Sequence, residues 1–313
     1  MSNNPVSEST SFSTIQAKFL ETITSCPICN ESQFSSFLVC EDQLVSHQKF
    51  TIQKCDNCGF RFTNPVPSET VMGSYYKSDQ YVSHNDAGNG FLNTAYRAVR
   101  SHTLKSKLSL INKLSKQKRR VLDVGCGTGA FLETCKKDGW AIMGVEPDAN
   151  ARAVSTNKLR IEISPDLNLL TGTGPFDVIS LWHVLEHIPN LDETIQQLYE
   201  LMADEGTLLI AVPNSDSYDA KYFGENWAAY DVPRHLYHFT PSTIESLFTK
   251  HNFQLIEQRP MIFDALYIAM LSTRYQTGKT DYLDSMRVGL ISNAKARQTG
   301  NSSSITYLLR KAR

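Results

Sequence analysis

The 313-residue chain contains no run of eighteen or more apolar residues, the length a helix needs to span a bilayer, and its polar opening, residues 1–12, lacks the apolar segment of a secretory signal. A cytoplasmic protein with no membrane association is expected. Charge of either sign is not in excess: 31 Lys and Arg face 32 Asp and Glu, a formal net charge of −1. The overall balance therefore gives no argument for nucleic acid or an acidic lipid surface as partner. Cysteine is scarce, at seven residues, and the number is odd. Four of the seven form two Cys-x-x-Cys pairs, which fits metal-bound thiolates in a reducing compartment better than a disulfide framework. The length suits one sizeable α/β core with a small appended module.

The most informative stretch is residues 120–133, RVLDVGCGTGAFLE. Val121, Leu122 and Val124 form a short apolar run and a helical pattern begins at Ala130, so Gly125, Gly127 and Gly129 fall where a buried strand turns into a helix. Such a turn is a ligand site, because glycines admit close approach of a bound molecule and the first helical N–H groups point outward. Residues 141–145 read as a second strand ending at Glu146, roughly twenty residues past the first glycine, where an acidic side chain accepts from ribose hydroxyls. The glycine spacing is not that of a dinucleotide site, and Asp123 stands two residues ahead of it. Its carboxylate disfavours a pyrophosphate and suits a cation, a description that S-adenosyl-L-methionine fits through its ammonium and sulfonium groups.

Residues 123–129 (DVGCGTG), then 144–146 (GVE), then 176–187 (FDVISLWHVLEH) together resemble class I S-adenosylmethionine-dependent methyltransferases, over about residues 90–313. The resemblance implies an α/β, Rossmann-like sheet and a cofactor site comprising Asp123, Gly125, Cys126, Gly127, Gly129, Phe131, Glu146, Pro147, Trp182, His183 and Val184. It also implies a lid before the core that brings Tyr76, Tyr81 and His84 over the transferable methyl, although the same tyrosines suit packing between module and core. The adenine contact is expected around residues 164–168, with Asp166 and Asn168 both open.

Residues 1–22 read as a disordered tail with local helix near 15–20. A module over residues 23–66 follows, in which Cys26, Cys29, Cys55 and Cys58 have the spacing of a closed four-thiolate zinc ribbon. A closed site is structural and holds together a module too small for its own core. Cys40 is expected as a packed residue. Residues 64–67 carry two prolines and read as a linker, 67–118 as lid and lead-in helices, and 119–313 as the catalytic domain. The basic cluster Lys113, Lys116, Lys118, Arg119 and Arg120 is read as a solvated helix end, with RNA contact as the other reading.

After the strand expected at 176–182 comes His183-Val-Leu-Glu186-His187. Its letters match an inverted zinc-peptidase signature, but the segment overlaps a strand end, where that motif does not work. It is also similar to ubiquinone-pathway O-methyltransferases, in which an acidic residue precedes Glu-His and the three can hold a divalent cation; His183 takes the acidic place here. His183 is expected at the cofactor edge, and His187 near the pocket or as a structural histidine. A short strand is expected at 160–163, a helix at 191–202, a turn at 204–206 and a strand at 207–212.

The long loop at 213–240 leaves the carboxyl end of a strand, where ligands of parallel sheets bind. Asn214, Trp227, Tyr230, Arg234 and Tyr237 are its candidate acceptor contacts, with Arg234 meeting a carboxylate or phosphate or else pairing with Asp231 to brace the loop. His235 and His238, together with His183, are the candidate catalytic histidines. Residues 261–300 read as a helical insertion that caps the pocket or forms a homodimer contact, and 304–310 as an antiparallel final strand.

The resemblance implies methyl transfer to an oxygen, carbon or nitrogen of a small-molecule acceptor, a sugar or secondary metabolite, since zinc ribbons precede the core in deoxysugar methyltransferases that this chain is similar to. Asn-Pro-Pro-Tyr and Pro-Cys, the marks of adenine and cytosine enzymes, are absent after Phe176. An RNA methyltransferase docking through the ribbon is the first alternative, opposed by Lys49, Lys54 and Arg61 standing against Glu31, Glu41, Asp42 and Asp56. A non-catalytic interaction protein is the second, opposed by the intact glycine motif and Glu146.

Overall fold

A computed structural model describes residues 19–76, 91–115 and 120–313. Residues 1–18 of the expected tail, the lid residues Tyr81 and His84, and Lys116, Lys118 and Arg119 lie outside them, whereas Leu20–Glu21 at the end of the expected tail form a strand paired with Val66–Pro67 of the expected linker. In chain order the strands are β1 (Leu20–Glu21), β2 (Phe34–Glu41), β3 (Lys49–Cys55), β4 (Arg61–Thr63), β5 (Val66–Pro67), β6 (Arg120–Val124), β7 (Ala141–Val145), β8 (Phe176–Trp182), β9 (Met202–Pro213), β10 (Tyr237–His238), β11 (Phe253–Pro260) and β12 (Ser304–Lys311).

The main sheet has the order β11-β12-β9-β8-β6-β7. Strands β7, β6, β8 and β9 run parallel; β12 pairs antiparallel with β9, as expected for the final strand, and β11 pairs antiparallel with β12 and so runs in the same sense as the other four. Central strands of a parallel sheet are covered on both faces and read as continuous apolar runs. Val121 and Leu122 accordingly enter different core clusters on opposite sides of the sheet.

Two expected elements differ. The strand at 160–163 reduces to a single parallel bridge between Val145 and Ser164, because Arg160 caps the preceding helix in the left-handed conformation, φ 52°. The turn at 204–206 lies inside β9: Met202 pairs with Phe176 and Thr207 with Val178, so the residues between bulge out of the ladder.

The expected N-terminal module is not a separate bead. Its sheet has the order β10-β4-β3-β2, so Tyr237 and His238 of the long loop pair antiparallel with Phe62 and Arg61. Cys26, Cys55, Phe60 and Phe62 share one apolar cluster with Leu122, Ile179 and Leu208 of the main sheet. The insertion is two helices, Ile262–Thr277 and Tyr282–Thr299, broken at Gly278 as expected. Ile268, Ala269 and Val288 of this pair pack with Trp227, Ala228 and Tyr230, bracing the loop from the far side.

Candidate active site

Strand β6 delivers the chain into the glycine turn at the carboxyl edge of the sheet. Gly125 and Cys126 both donate to the Val145 carbonyl, at 2.8 and 3.0 Å, tying the turn to the end of β7. A Cβ on Gly125 would stand 2.4 Å from Val184 Cγ2, so Val184 packs directly on the turn. At Gly127, φ is +55° and nothing lies within 4 Å of where a Cβ would sit. The backbone there faces open space, the arrangement close approach of a ligand requires. Glu146, 8% exposed, accepts from Gly127 N at 2.7 Å and from Asp148 N at 2.9 Å. Each of its oxygens keeps a second lone pair for a hydroxyl donor. Pro147 beside it is exposed. Cys126 is buried, and Phe131 meets Trp182 edge-on at 5.7 Å.

Asp123 is buried and accepts from Ser180 Oγ at 2.6 Å. Burial lifts its carboxyl to about 7, against the lowering effects of Ser180 and Lys107. Lys107, from the helix Phe91–Leu114, holds its ammonium 4.0 Å from the centroid of the Trp182 ring.

His183 directly follows β8 and takes the left-handed conformation, φ 58°. Its Nε2 lies 3.1 Å from Asp264 of the insertion and its Nδ1 3.5 Å from Glu186. Burial opposes charge on this ring, but Asp264 and then Glu186 outweigh it and raise the pKa to about 10. Both ring nitrogens of His183 thus face carboxylates, which leaves neither open to an acceptor proton and corrects its place among the catalytic candidates.

Tyr76, His187 and His235 meet on the other side of Glu186. The Tyr76 hydroxyl and the Arg234 carbonyl oxygen each lie 3.0 Å from His187 Nδ1, and the His187 and His235 rings meet edge to face at 4.6 Å. Burial and then His235 lower His187 to about 4, so its ring is neutral. His235 Nδ1 sits 2.9 Å from the Ala229 carbonyl oxygen, which can only accept. The proton therefore belongs on Nδ1 and leaves Nε2 a lone pair, 4.0 Å from Asp231 Oδ2. Neither oxygen of the buried Glu186 has a hydrogen-bond partner, and ligand atoms of Glu186, His187 and His235 all lie within 4.8 Å of one another.

The remaining loop candidates point inward. Arg234, 1% exposed, gives Nε to both oxygens of Asp231 at 3.1 Å, Nη1 to the Tyr75 carbonyl at 3.0 Å and Nη2 to Asp42 at 2.9 Å. It braces the loop against the module and has no donor facing an acceptor site, so the bracing alternative replaces the substrate contact. Trp227 Nε1 donates to buried Asp219 at 2.8 Å, Asn214 Nδ2 donates to the Ser302 carbonyl at 3.0 Å, and Tyr237 Oη donates to the Pro189 carbonyl at 2.7 Å. Tyr230 is buried against Trp227 and His238. His238 Nε2 lies 3.1 Å from Thr63 Oγ1, and burial holds its pKa well below the ordinary value. These five are read here as loop architecture and not as acceptor contacts or base: each polar group is satisfied internally or shut away from solvent.

Sequence motifs do not single out Lys107 or Asp264. The signal was nevertheless there, since Lys107 falls on the same helical stripe as Leu104, Leu108 and Ile111, and Asp264 interrupts the apolar run of residues 261–271.

At the module's tip, the Cys26 and Cys58 sulfurs lie 3.5 Å apart, as do those of Cys29 and Cys55, and all four fall within 4.8 Å of one another. A tetrahedron with metal–sulfur bonds of about 2.3 Å has edges of about 3.8 Å, so the donor set fits zinc. Cys40 is buried away from them, as expected.

A family model described as a methyltransferase domain matches residues 96–258, just over half of the chain. The chain belongs to this methyltransferase family. Among curated relatives of the methyltransferase, the ubiquinone biosynthesis O-methyltransferase of Glaesserella parasuis is 30% identical over 108 residues, covering 31% of this chain and 46% of that protein. The Rhodopseudomonas palustris enzyme of the same name is 23% identical over 159 residues, covering 47% and 63%. The chain thus spans about half the length of the curated relatives it matches. In fold it is similar to the magnesium protoporphyrin IX methyltransferase of Synechocystis PCC 6803 with bound SAH, at a TM-score of 0.50 and 15% identity, covering 78% of this chain and 100% of that one. The plantazolicin methyltransferase in complex with SAH gives 0.50 and 18%, covering 78% and 94%.

Proposed function

We propose that the protein transfers the methyl group of S-adenosyl-L-methionine to a small-molecule acceptor, a sugar or secondary metabolite, with His235 as the base. The observation that carries this is the tautomer of His235: Nδ1 is held on the Ala229 carbonyl, which leaves Nε2 the lone pair, in one cluster with Glu186 and His187 just past the end of β8. The cofactor supplies an already activated methyl group when bound. What this chain then has to do is hold the acceptor in line and remove one proton. His235 Nε2 takes that proton from the acceptor, and Asp231, whose carboxyl Arg234 lowers in spite of burial, stabilises the imidazolium that results. Neutral His187 and the Tyr76 hydroxyl line the same spot and orient an acceptor hydroxyl. Gly127, Glu146 and Asp123 supply the cofactor cradle, and Cys26, Cys29, Cys55 and Cys58 a structural zinc site. His235→Asn should keep cofactor binding in calorimetry and lose at least about a hundredfold in turnover. Undiminished turnover would remove His235 as the base.

The Glu186 oxygens, which accept no hydrogen bond although His183 Nδ1 stands 3.5 Å from one of them, favour a second reading, in which Glu186, His187 and His235 hold a divalent cation that binds the acceptor oxygen. Turnover that requires added magnesium or manganese, and is lost in Glu186→Gln, would select it over base catalysis by His235 alone.

A further inference from the structure

We propose that the outward face of the helix Tyr282–Thr299 is the contact through which two copies of this chain pair, the two helices lying antiparallel about a two-fold axis at Leu290.

This helix is amphipathic in the opposite sense to one that ends at solvent. Its inward positions are small residues, Ser285, Val288, Gly289, Ser292 and Ala296. On the other side Leu283 is 86% exposed, and Met286 and Leu290 are each more than half exposed. A surface helix ordinarily buries its large apolar residues and shows water the polar ones. Leu283, Met286, Leu290, Ala294 and Arg297 are all exposed and follow one another at intervals of three, four, four and three residues. They form one stripe about 21 Å long, with the spacing of a helix-pairing seam.

The composition of the stripe says what covers it. Its spacing reads the same in both directions from Leu290, so a two-fold axis there lays every stripe position of one copy on a stripe position of the other. Leu290 meets its own counterpart, Met286 falls opposite Ala294, a large side chain against a small one, and Leu283 falls opposite the aliphatic stem of Arg297. Charge agrees with this register. Asp281 and Asp284 stand at the amino end of the helix, and Lys295 and Arg297 near its carboxyl end. Antiparallel pairing sets each end beside its opposite. The acidic end also opposes an anionic lipid surface, the other occupant that an exposed leucine stripe with basic residues would suit.

One helix from each copy is a small interface, so the pairing should be reversible and depend on concentration. Sedimentation velocity of the full chain from about 1 to 100 µM should show monomer passing into dimer. Leu290→Glu should raise the dissociation constant at least about tenfold, with an unchanged melting temperature reporting an intact fold, and Leu283→Glu should do the same. Under mild oxidation the Leu290→Cys variant should form a covalent dimer above the wild-type background. The Leu283→Cys variant should not, since its two copies of that position lie about 21 Å apart. Wild type that stays monomeric throughout, a dimer that both glutamate variants leave intact, or cross-linking at position 283 and not at 290 overturns the assignment. Monomer that instead co-sediments with anionic phospholipid vesicles, and ceases to in Leu290→Glu, overturns it in favour of a lipid surface.

Discussion

Replacing Arg234 by methionine separates two roles that its position in the loop allows. Methionine keeps much of the side-chain volume and removes the charge, so what is lost is the guanidinium's bonding to Asp231, Asp42 and the Tyr75 carbonyl. The three side chains are 1%, 15% and 0% exposed, so water cannot replace what is removed. Asp42 keeps donors from Ser46 N and Ser46 Oγ, each at 2.7 Å, whereas among the described residues Asp231 keeps no side-chain hydrogen bond and faces His235 at 4.0 Å. Breaking a buried pair by removing one partner destabilises by about 3–5 kcal/mol. For a chain of this size that corresponds to a fall in melting temperature of about 5–8 °C. The pH dependence should change as well. In wild type the Asp231 carboxyl is held low, so its stabilisation is present above the unfolded carboxylate range and is lost as pH falls through the folded value. Without Arg234, burial dominates and raises the folded pKa, so the deficit grows as pH rises through and above the unfolded value. Thermal melts from pH 4 to 8 measure both effects, and Arg234→Met with Asp231→Asn should recover part of the loss. An Arg234→Met protein that melts like wild type but shows a raised KM would refute the bracing role and restore Arg234 to the acceptor site.

Three further outcomes are expected. Gly127→Val combines a backbone at φ +55° with a side chain pushed into open space, and should abolish cofactor binding in calorimetry while zinc content by elemental analysis stays unchanged; loss of both would make Gly127 a folding residue. Because burial lifts Asp123 to about 7, its carboxylate form fades below that pH, so affinity for a cationic cofactor should weaken up to about tenfold per unit between pH 7 and 5, and Asp123→Asn should flatten that slope. Cys55→Ser should release zinc and accelerate amide hydrogen exchange at Tyr237 and His238, which pair with β4; exchange unaltered in a zinc-free variant would sever the module from the loop.

The sheet and its cofactor turn were legible because their determinants are local. Buried parallel strands read as apolar runs at Val121–Val124 and Phe176–Leu181, and a glycine turn with an acid on either side needs only about twenty-five residues to be recognised. The four-cysteine cluster was legible for the same reason, since ligand spacing is chemistry written along the chain. The loop was legible in existence but not in direction. Arg234 finds Asp42 at a separation of 192 residues, and no pattern within residues 213–240 reveals that a partner waits there. Polar and aromatic side chains on a long loop look alike whether they serve a ligand or each other.

The ladder between Arg61–Thr63 and Tyr237–His238 has a practical corollary for anyone recombining such enzymes. The segment that carries His235 is stitched to a strand some 170 residues upstream, so grafting acceptor preference from a relative means transplanting both stitches at once. Chimaeras that join a foreign loop to the resident ribbon should inherit mismatched hydrogen-bond partners at that seam and fold poorly, even with every catalytic side chain in place.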